Sequence, residues 1–187
     1  MTIMLESLNP ELITRAQSGD PAVIGDLYDR YRLSVFRYMY YKVGDLHAAE
    51  DLTSEVFLRM IRSLNGYRPQ NVAFEAWLFQ IARNLAIDHY RKYSGKDHLS
   101  LEEDMIADKD DPDRNLDRSL TSDLLLKALS KLSEIQRDVI VLRFVNGLPV
   151  NQVAQALNKS EDAVKALQRR ALSTLREILT EWEISYA

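Results

Sequence analysis

The feature that most constrains the fold is a pair of helical patterns within residues 150–179, joined by a turn at Asn158. Two helices that cross steeply need a small residue at their contact, a turn residue that tolerates positive φ, and an apolar residue in the second helix. Ala154, Asn158 and Val164 fill these places in order. Ser160 can cap the second helix because its oxygen can accept a free backbone N–H. The spacing predicts a helix-turn-helix.

The second helix of this motif has an apolar face and a polar, largely basic face. At 100° per residue, Val164 and Ala171 share the apolar stripe, whereas Lys165 and Arg169 point away from it. Such a face is often only solvated. After a well-formed turn, however, it is also how a recognition helix presents side chains to base edges and cations to phosphate. We therefore predict that six side chains lie nearest DNA: Ser160, Asp162, Lys165, Arg169, Arg170 and Arg176.

The chain divides into two helical regions and an acidic spacer, so we expect an all-α protein with two small domains. Residues 1–93 and 119–187 show helical periodicity, whereas residues 94–118 carry nine acidic and four basic residues and little apolar pattern. The net charge of −4 for the whole chain therefore arises in this segment. A charged linker repels itself and stays extended, so we expect a flexible spacer, either for solubility or to compete with DNA for the flanking domains.

A helix in the first region, residues 74–92, has two faces of different character. Its core side is apolar and includes Trp77 and Leu85. Gln80, Asn84 and Arg91 cluster on the opposite side, flanked by other polar groups. Amide and guanidinium groups mixed with apolar ones suit contact with unstacked bases, so this face predicts a second nucleic-acid surface.

Several function classes find no support in the sequence. Cysteine is absent, the three histidines have no metal-ligand spacing, and the glycines are scattered, so we expect no metal, cofactor or nucleotide loop. No apolar run approaches a membrane span and no secretory signal is visible, so we expect a cytoplasmic protein without membrane insertion. A hydrolase using Glu102, Glu103 and Asp104 is a weak alternative, because carboxylates in a flexible linker lack fixed geometry.

Three segments together resemble the extracytoplasmic function group of bacterial RNA polymerase sigma factors. They are AEDLTSEVFLRM, FEAWLFQIARNLAIDHYRK and LSEIQRDVIVLRFVNGLPVNQVAQALNKSEDAVKALQRRALSTLR, in the order and spacing of that family. The resemblance implies a non-enzymatic subunit that binds core RNA polymerase and directs promoter recognition, DNA melting and transcription initiation. It assigns residues 1–93 to a region 2-like domain for polymerase and the −10 element, and residues 119–187 to a region 4-like domain for the −35 element.

The resemblance also implies the partners and the residues that meet them. We expect contacts with the polymerase β′ clamp helices and β flap, with promoter DNA, and with an anti-sigma factor. The clamp-binding role falls on five residues of the first segment: Asp51, Leu52, Glu55, Val56 and Phe57. With the polar face described above, the −10 role falls on nine residues: Tyr67, Phe74, Trp77, Gln80, Arg83, Asn84, Asp88, Arg91 and Lys92.

The chain departs from the common family pattern at a few positions. Ser54 stands where Gln is frequent, Asn158 where the turn often has Gly, and Asp162 where Gly is common. Asn tolerates the left-handed region, so we expect the turn to survive. Asp162 either repels phosphate, accepts from a cytosine amino group or stabilises the first helical turn. A stand-alone helix-turn-helix regulator remains the alternative function; it would bind duplex DNA without polymerase.

Overall fold

The computed structural model describes residues 9–94 and 116–185, and within them every regular element is helical. The predicted all-α class is confirmed. The elements are, in chain order, α1 Pro10–Gln17, α2 Pro21–Val43, α3 Leu46–Ser63, a 3-10 turn Leu64–Gly66, α4 Phe74–Ser94, α5 Leu116–Ser130, α6 Glu134–Ile140, a π-helical segment Val141–Val145, α7 Val150–Leu157 and α8 Glu161–Ser185. We call α1–α4 the N-terminal bundle and α5–α8 the C-terminal bundle.

Short-range signals set the ends of the N-terminal helices. Asp20 caps α2, because its carboxylate accepts from the backbone N–H of Ala22 at 3.0 Å, and Pro21 suits the first turn. Gly44 ends the same helix with φ 77°, which an L side chain rarely adopts. Asp45 then caps α3 through the N–H of Ala48 at 2.6 Å. The chain therefore breaks between α2 and α3 at Gly44 and Asp45.

A glycine just after a helical pattern predicts a left-handed cap, and Asn65-Gly66 follows the pattern of α3, but the helix ends differently. The positive-φ residues of the described chain do not include Gly66, which ends a 3-10 turn instead. The side-chain amide of Gln17 donates to the carbonyls of Leu64 and Tyr67, each at 3.0 Å. Since α1 supplies these donors, the helix end needs no left-handed residue to satisfy its carbonyls.

The N-terminal bundle is built around one stripe of α2, which packs against α3 and α4. The stripe read from the sequence is buried throughout: Val23, Leu27, Tyr31, Val35, Tyr38 and Met39. At its centre the Tyr31 hydroxyl donates to the buried carboxylate of Glu75 on α4 at 2.6 Å. Burial and the Glu75 hydrogen bond raise the pKa of Tyr31 well above its usual value, so the phenol remains a donor.

The C-terminal bundle buries apolar residues from α5 to α8 and carries one irregular stretch. Leu129, Val139, Val153 and Val164 are buried in it. The second helix of this region is predicted as a single run, but α6 widens at its end into the π-helical segment. Helix α5 begins inside the last residues of the predicted linker, at Leu116; most of that linker lies outside the described residues.

The two bundles pack directly against each other. Helix α7 of the C-terminal bundle lies along α4, and the π-helical segment meets α2. The buried residues of both bundles join in one continuous apolar cluster. This packing places the helix-turn-helix beside the helix predicted to hold the −10 strand.

Candidate nucleic-acid and partner interfaces

The turn of the helix-turn-helix has the geometry that the sequence predicts. Asn158 adopts the left-handed conformation, with φ 51° and ψ 53°. The hydroxyl of Ser160 accepts from the N–H of Ala163 at 3.2 Å, as an N-cap does. Ala154 and Val164, the two predicted contact residues, are buried. The motif is thus confirmed at each position where its spacing was read.

The polar face of α8 lies on the surface. The six residues predicted for −35 DNA are all exposed: Ser160, Asp162, Lys165, Arg169, Arg170 and Arg176. The ammonium group of Lys165 lies 3.6 Å from the Asp162 carboxylate, one turn earlier on the helix. Asp162 therefore has a local cationic neighbour that offsets its repulsion of phosphate. Arg143, from the π-helical segment, donates to Gln168 at 3.2 Å and so ties α8 to the rest of the bundle.

The aromatic residues predicted for the −10 surface form a cluster at the start of α4. Tyr67 and Phe74 are buried, whereas Trp77 is half-buried with its ring 4.7 Å from that of Tyr67. Desolvation, followed by the charge of Glu75, raises the pKa of Tyr67 to about 12. Its hydroxyl donates to the carbonyl of Val72 at 2.9 Å. These rings hold the loop before α4 in place, and Trp77 is the one that reaches the surface.

The middle of the polar face of α4 is covered by the C-terminal bundle. The side-chain amide of Gln80 donates to the backbone carbonyl of Gln155 on α7 at 2.8 Å. The guanidinium of Arg83 donates to the carboxylate of Asp138 on α6 at 3.0 Å. The sequence reading of this face as open to DNA is therefore incomplete, because these two side chains are held by protein in this arrangement.

The rest of the polar face is open and borders a groove between α3 and α4. Asn84, Asp88, Arg91 and Lys92 are exposed. The groove has a volume of about 320 Å³ and is lined by Arg59, Arg62, Ser63, Ile81 and Asn84. Sequence reasoning missed the two arginines, although their spacing of three residues on α3 places them on one helix face.

The five residues predicted to bind polymerase divide between the surface and the core. Asp51 is exposed and Glu55 is partly exposed, whereas Leu52, Val56 and Phe57 are buried in the N-terminal bundle. The Phe57 ring packs edge-on against Tyr28 at 4.8 Å. A surface role for the buried three would thus be indirect, through the position of α3. Sequence reasoning missed the apolar residues exposed on the same helix: Leu46, Leu58 and Ile61.

Neither a metal-ligand cluster nor a membrane-spanning helix is found within the described residues. No group of three or more His, Cys, Asp or Glu side chains is placed to hold a metal ion there. In the same part of the chain, no helix is both long and apolar enough to cross a bilayer.

Two family models match the chain, one for each bundle. The model described as Sigma-70 region 2 matches residues 27–95, and the model described as Sigma-70, region 4 matches residues 128–177. The first match includes α3 and α4 with their predicted surfaces. The second includes the helix-turn-helix.

Individual relatives and structures agree with these matches. The chain is 40% identical to the ECF RNA polymerase sigma factor BldN of Streptomyces coelicolor over 91% of its length and 66% of BldN. It is 32% identical to the ECF sigma factor SigX of Bacillus subtilis over 81% of this chain and 80% of SigX.

Two solved structures share the fold. CnrH in complex with the cytosolic domain of CnrY has a TM-score of 0.73 at 23% identity, covering 91% of this chain and 96% of CnrH. RpoE of Bartonella quintana, in complex with the anti-sigma factor NepR, has a TM-score of 0.63 at 23% identity, covering 83% and 97%.

Proposed function

The chain belongs to the extracytoplasmic function group of sigma-70 factors, which direct promoter recognition and transcription initiation, and we propose how its surfaces divide that work. The membership confirms the resemblance read from the three sequence segments. It also decides between the two functions left open above. A stand-alone regulator would need only the helix-turn-helix, whereas this chain also carries region 2.

The exposed polar face of α8 is the proposed −35 surface, and this face is the observation that carries the assignment. The side chains nearest the N-terminal end of α8, Asp162 and Lys165, would meet base edges in the major groove. Arg169, Arg170 and Arg176 lie further along the helix and would neutralise phosphates. The left-handed turn at Asn158 orients this helix.

The open part of α4 and the adjoining groove are the proposed −10 surface. Opening duplex DNA costs a few kcal/mol for each unstacked base, so a melted strand must be held by side chains that replace lost contacts. Asn84 offers an amide to a base edge, Trp77 offers a partly exposed ring, and Arg62 offers a cation to the backbone. Arg59 would join Arg62 by exchanging its ion pairs with Glu55 and Asp88 for a phosphate. Arg91 and Lys92 extend the basic character toward the end of the helix.

The surface of α3 is the proposed contact with core polymerase. Its exposed acidic residues, Asp51 and Glu55, would meet a basic partner surface such as the clamp helices expected in this family. Leu58 and Ile61, which are 47% and 45% exposed, would supply apolar contact area beside them. The β flap would bind the C-terminal bundle.

An anti-sigma factor is a further proposed partner. RpoE, whose fold this chain shares, is seen bound to the anti-sigma factor NepR. We also propose that the protein works in the cytoplasm, where it would meet polymerase. We assign no catalytic step to its side chains.

Pull-down of core polymerase tests the α3 assignment. Asp51→Arg combined with Glu55→Arg should abolish association, because two carboxylates of α3 are reversed in charge. The second change also breaks the ion pair of Glu55 with Arg59 at 3.2 Å but leaves the apolar core intact. Asp29→Arg, at an 80% exposed carboxylate on α2, is the matched control and should bind like the wild type. Retained binding of the double variant would contradict the assignment. Phe57 is avoided because its truncation would cost about 3–5 kcal/mol of stability.

A further inference from the structure

A fully buried carboxylate joins the two bundles. Asp138 on α6 has no solvent exposure, and within the described residues its side chain meets three partners. The hydroxyl of Tyr38 donates to it at 2.8 Å, the ammonium of Lys42 lies at 2.8 Å, and the guanidinium of Arg83 at 3.0 Å. All three belong to α2 or α4. The carboxylate of the C-terminal bundle is therefore held by the N-terminal bundle.

The charges in this cluster are matched only while the bundles stay together. Lys42 is as fully buried as Asp138, and Glu134 on α6 lies 3.7 Å from its ammonium. Two acidic groups of the C-terminal bundle thus balance Lys42 and Arg83 of the N-terminal bundle. An ammonium and a carboxylate out of water are stable only when paired, so loss of one partner leaves the other buried and uncompensated.

The Tyr38 hydroxyl acts only as a hydrogen-bond donor to Asp138. Burial, followed by the nearby charge of Asp138, raises the pKa of Tyr38 far above its usual value. The phenol therefore stays protonated and keeps donating to the carboxylate. No change of protonation at Tyr38 is needed to form the contact.

Further hydrogen bonds near the cluster also join the two bundles along the border between them. Arg137, next to Asp138, donates to the backbone carbonyl of Lys42 at 3.3 Å. The side-chain amide of Asn146, just past the π-helical segment, donates to the carbonyl of Ser34 at 2.7 Å. Further along the border, Gln155 accepts from the N–H of Ala73 at 3.1 Å. The border between the bundles is thus a specific polar interface built over an apolar one.

The same border covers part of the proposed −10 surface. Arg83 is one of the three partners of Asp138, and its side chain is only 27% exposed. Gln80, one turn earlier, is bonded to α7. A DNA strand that follows the polar face of α4 from Trp77 to Arg91 would meet α7 and α6 on its way. Gln80 and Arg83 become available only when the C-terminal bundle moves away.

We infer that Asp138 is a latch that holds the two bundles in a closed state, in which the C-terminal bundle occludes the centre of the −10 surface. The occlusion rests on the −10 assignment proposed above, whereas the latch itself rests on the contacts alone. When the latch opens, Asp138, Lys42 and Arg83 regain water, and the part of the apolar cluster that lies between the bundles is exposed.

The test compares the wild type with Asp138→Ala by small-angle X-ray scattering of the full chain. A compact protein of 187 residues has a radius of gyration of about 16 Å, and we expect the wild type to lie closer to this value than the variant. Loss of a buried charge partner should raise the ratio of open to closed molecules by about tenfold or more. Asp123→Ala is the matched control, because it removes an exposed carboxylate of the C-terminal bundle that is not part of the cluster; it should scatter as the wild type does.

A cross-link separates opening from unfolding. The chain contains no cysteine, so Ser34→Cys and Asn146→Cys can be joined specifically by a short bismaleimide. Asp138→Ala with this cross-link should return to the wild-type radius of gyration, and far-UV circular dichroism should show equal helix content in all variants. An Asp138→Ala protein with the wild-type radius would overturn the latch, as would an expanded variant that has lost helix.

A fluorescent single-stranded DNA pool then tests the occlusion. The opened variant should bind the pool about tenfold more tightly than the wild type, and the cross-link should remove the gain. An expanded variant with no gain in affinity would leave the latch standing and overturn the −10 assignment of Gln80 and Arg83. An unchanged radius of gyration overturns the latch whatever the DNA result, so the two failures are distinguishable.

Discussion

The two helices proposed to bind DNA, α4 and α8, differ in how much of their polar faces is accessible. The polar face of α8 is exposed from Asp162 to Arg176, and the orientation of the helix is fixed by the left-handed turn at Asn158. The polar face of α4 is open at Asn84 and beyond, but Gln80 and Arg83 at its centre are bonded to the other bundle. The proposed −35 surface is therefore complete in the closed molecule, whereas the proposed −10 surface would be complete only on opening.

This difference suggests a physical order of events in promoter binding. Duplex recognition needs a preformed rigid helix, and α8 provides one with no rearrangement. The single strand is captured after the duplex opens. The proposed −10 surface therefore need not be complete when α8 first binds the duplex. The closed state also keeps a basic, partly apolar face away from incidental single strands.

The largest effect on DNA binding is expected for a substitution in the open part of α4. Asn84→Ala should lower the fraction of bound promoter that is melted by about tenfold, because a hydrogen bond to an unstacked base is lost. Permanganate reactivity of promoter thymines, normalised to bound complex, measures this fraction. Asn151→Ala, an exposed amide on α7, is the control. Equal reactivity in the Asn84 variant and the wild type would contradict the proposed strand contact.

A smaller effect is expected on α8, where one phosphate contact among several is removed. Arg169→Ala should weaken binding of the free protein to a short duplex by about fivefold and reduce the salt slope by about 0.9. Arg32→Ala, at a 60% exposed side chain on α2, should change neither quantity. Fluorescence anisotropy over a range of salt concentrations measures both. An Arg169 variant with the wild-type slope would break the claim that α8 is ready without opening.

A separate effect, on stability and not on DNA contacts, is expected at the turn that orients α8. Asn158→Ala should lower the free energy of unfolding by about 1–2 kcal/mol, because alanine at positive φ brings its Cβ too close to the following carbonyl. Asn158→Gly should stay within about 0.5 kcal/mol of the wild type, since glycine adopts this region readily. Urea unfolding followed by circular dichroism compares the two. Equal losses for both variants would show that the turn depends on the Asn side chain rather than on its backbone.

Sequence reasoning predicts well those features that depend on neighbouring residues. The cap at Ser160 and the turn at Asn158 follow from local chemistry, and each is found where it was expected. The buried stripe of α2 follows equally from helical period. The family resemblance added the prediction that the N-terminal bundle binds polymerase and the −10 element and that the C-terminal bundle binds the −35 element.

The features that escaped prediction depend on residues far apart in the chain. Tyr38 and Asp138 are separated by 100 positions, and neither has a local pattern that marks it as a partner of the other. Lys42 reads as a surface lysine at the end of α2, yet it is buried because the other bundle covers it. The groove beside Asn84 likewise needs α3 and α4 side by side. The left-handed cap predicted at Gly66 is wrong, because the Gln17 amide of α1 donates to the carbonyls at the end of α3 instead.

Run-off transcription with purified core polymerase tests the central claim that this chain supplies promoter recognition from two DNA surfaces. The templates are genomic promoter fragments, and each reaction is run with and without the protein. We expect discrete transcripts that appear only when the protein is present, that fall with Arg169→Ala, and that fall further with Asn84→Ala. Transcripts that are independent of the protein, or unaffected by both variants, would contradict the account.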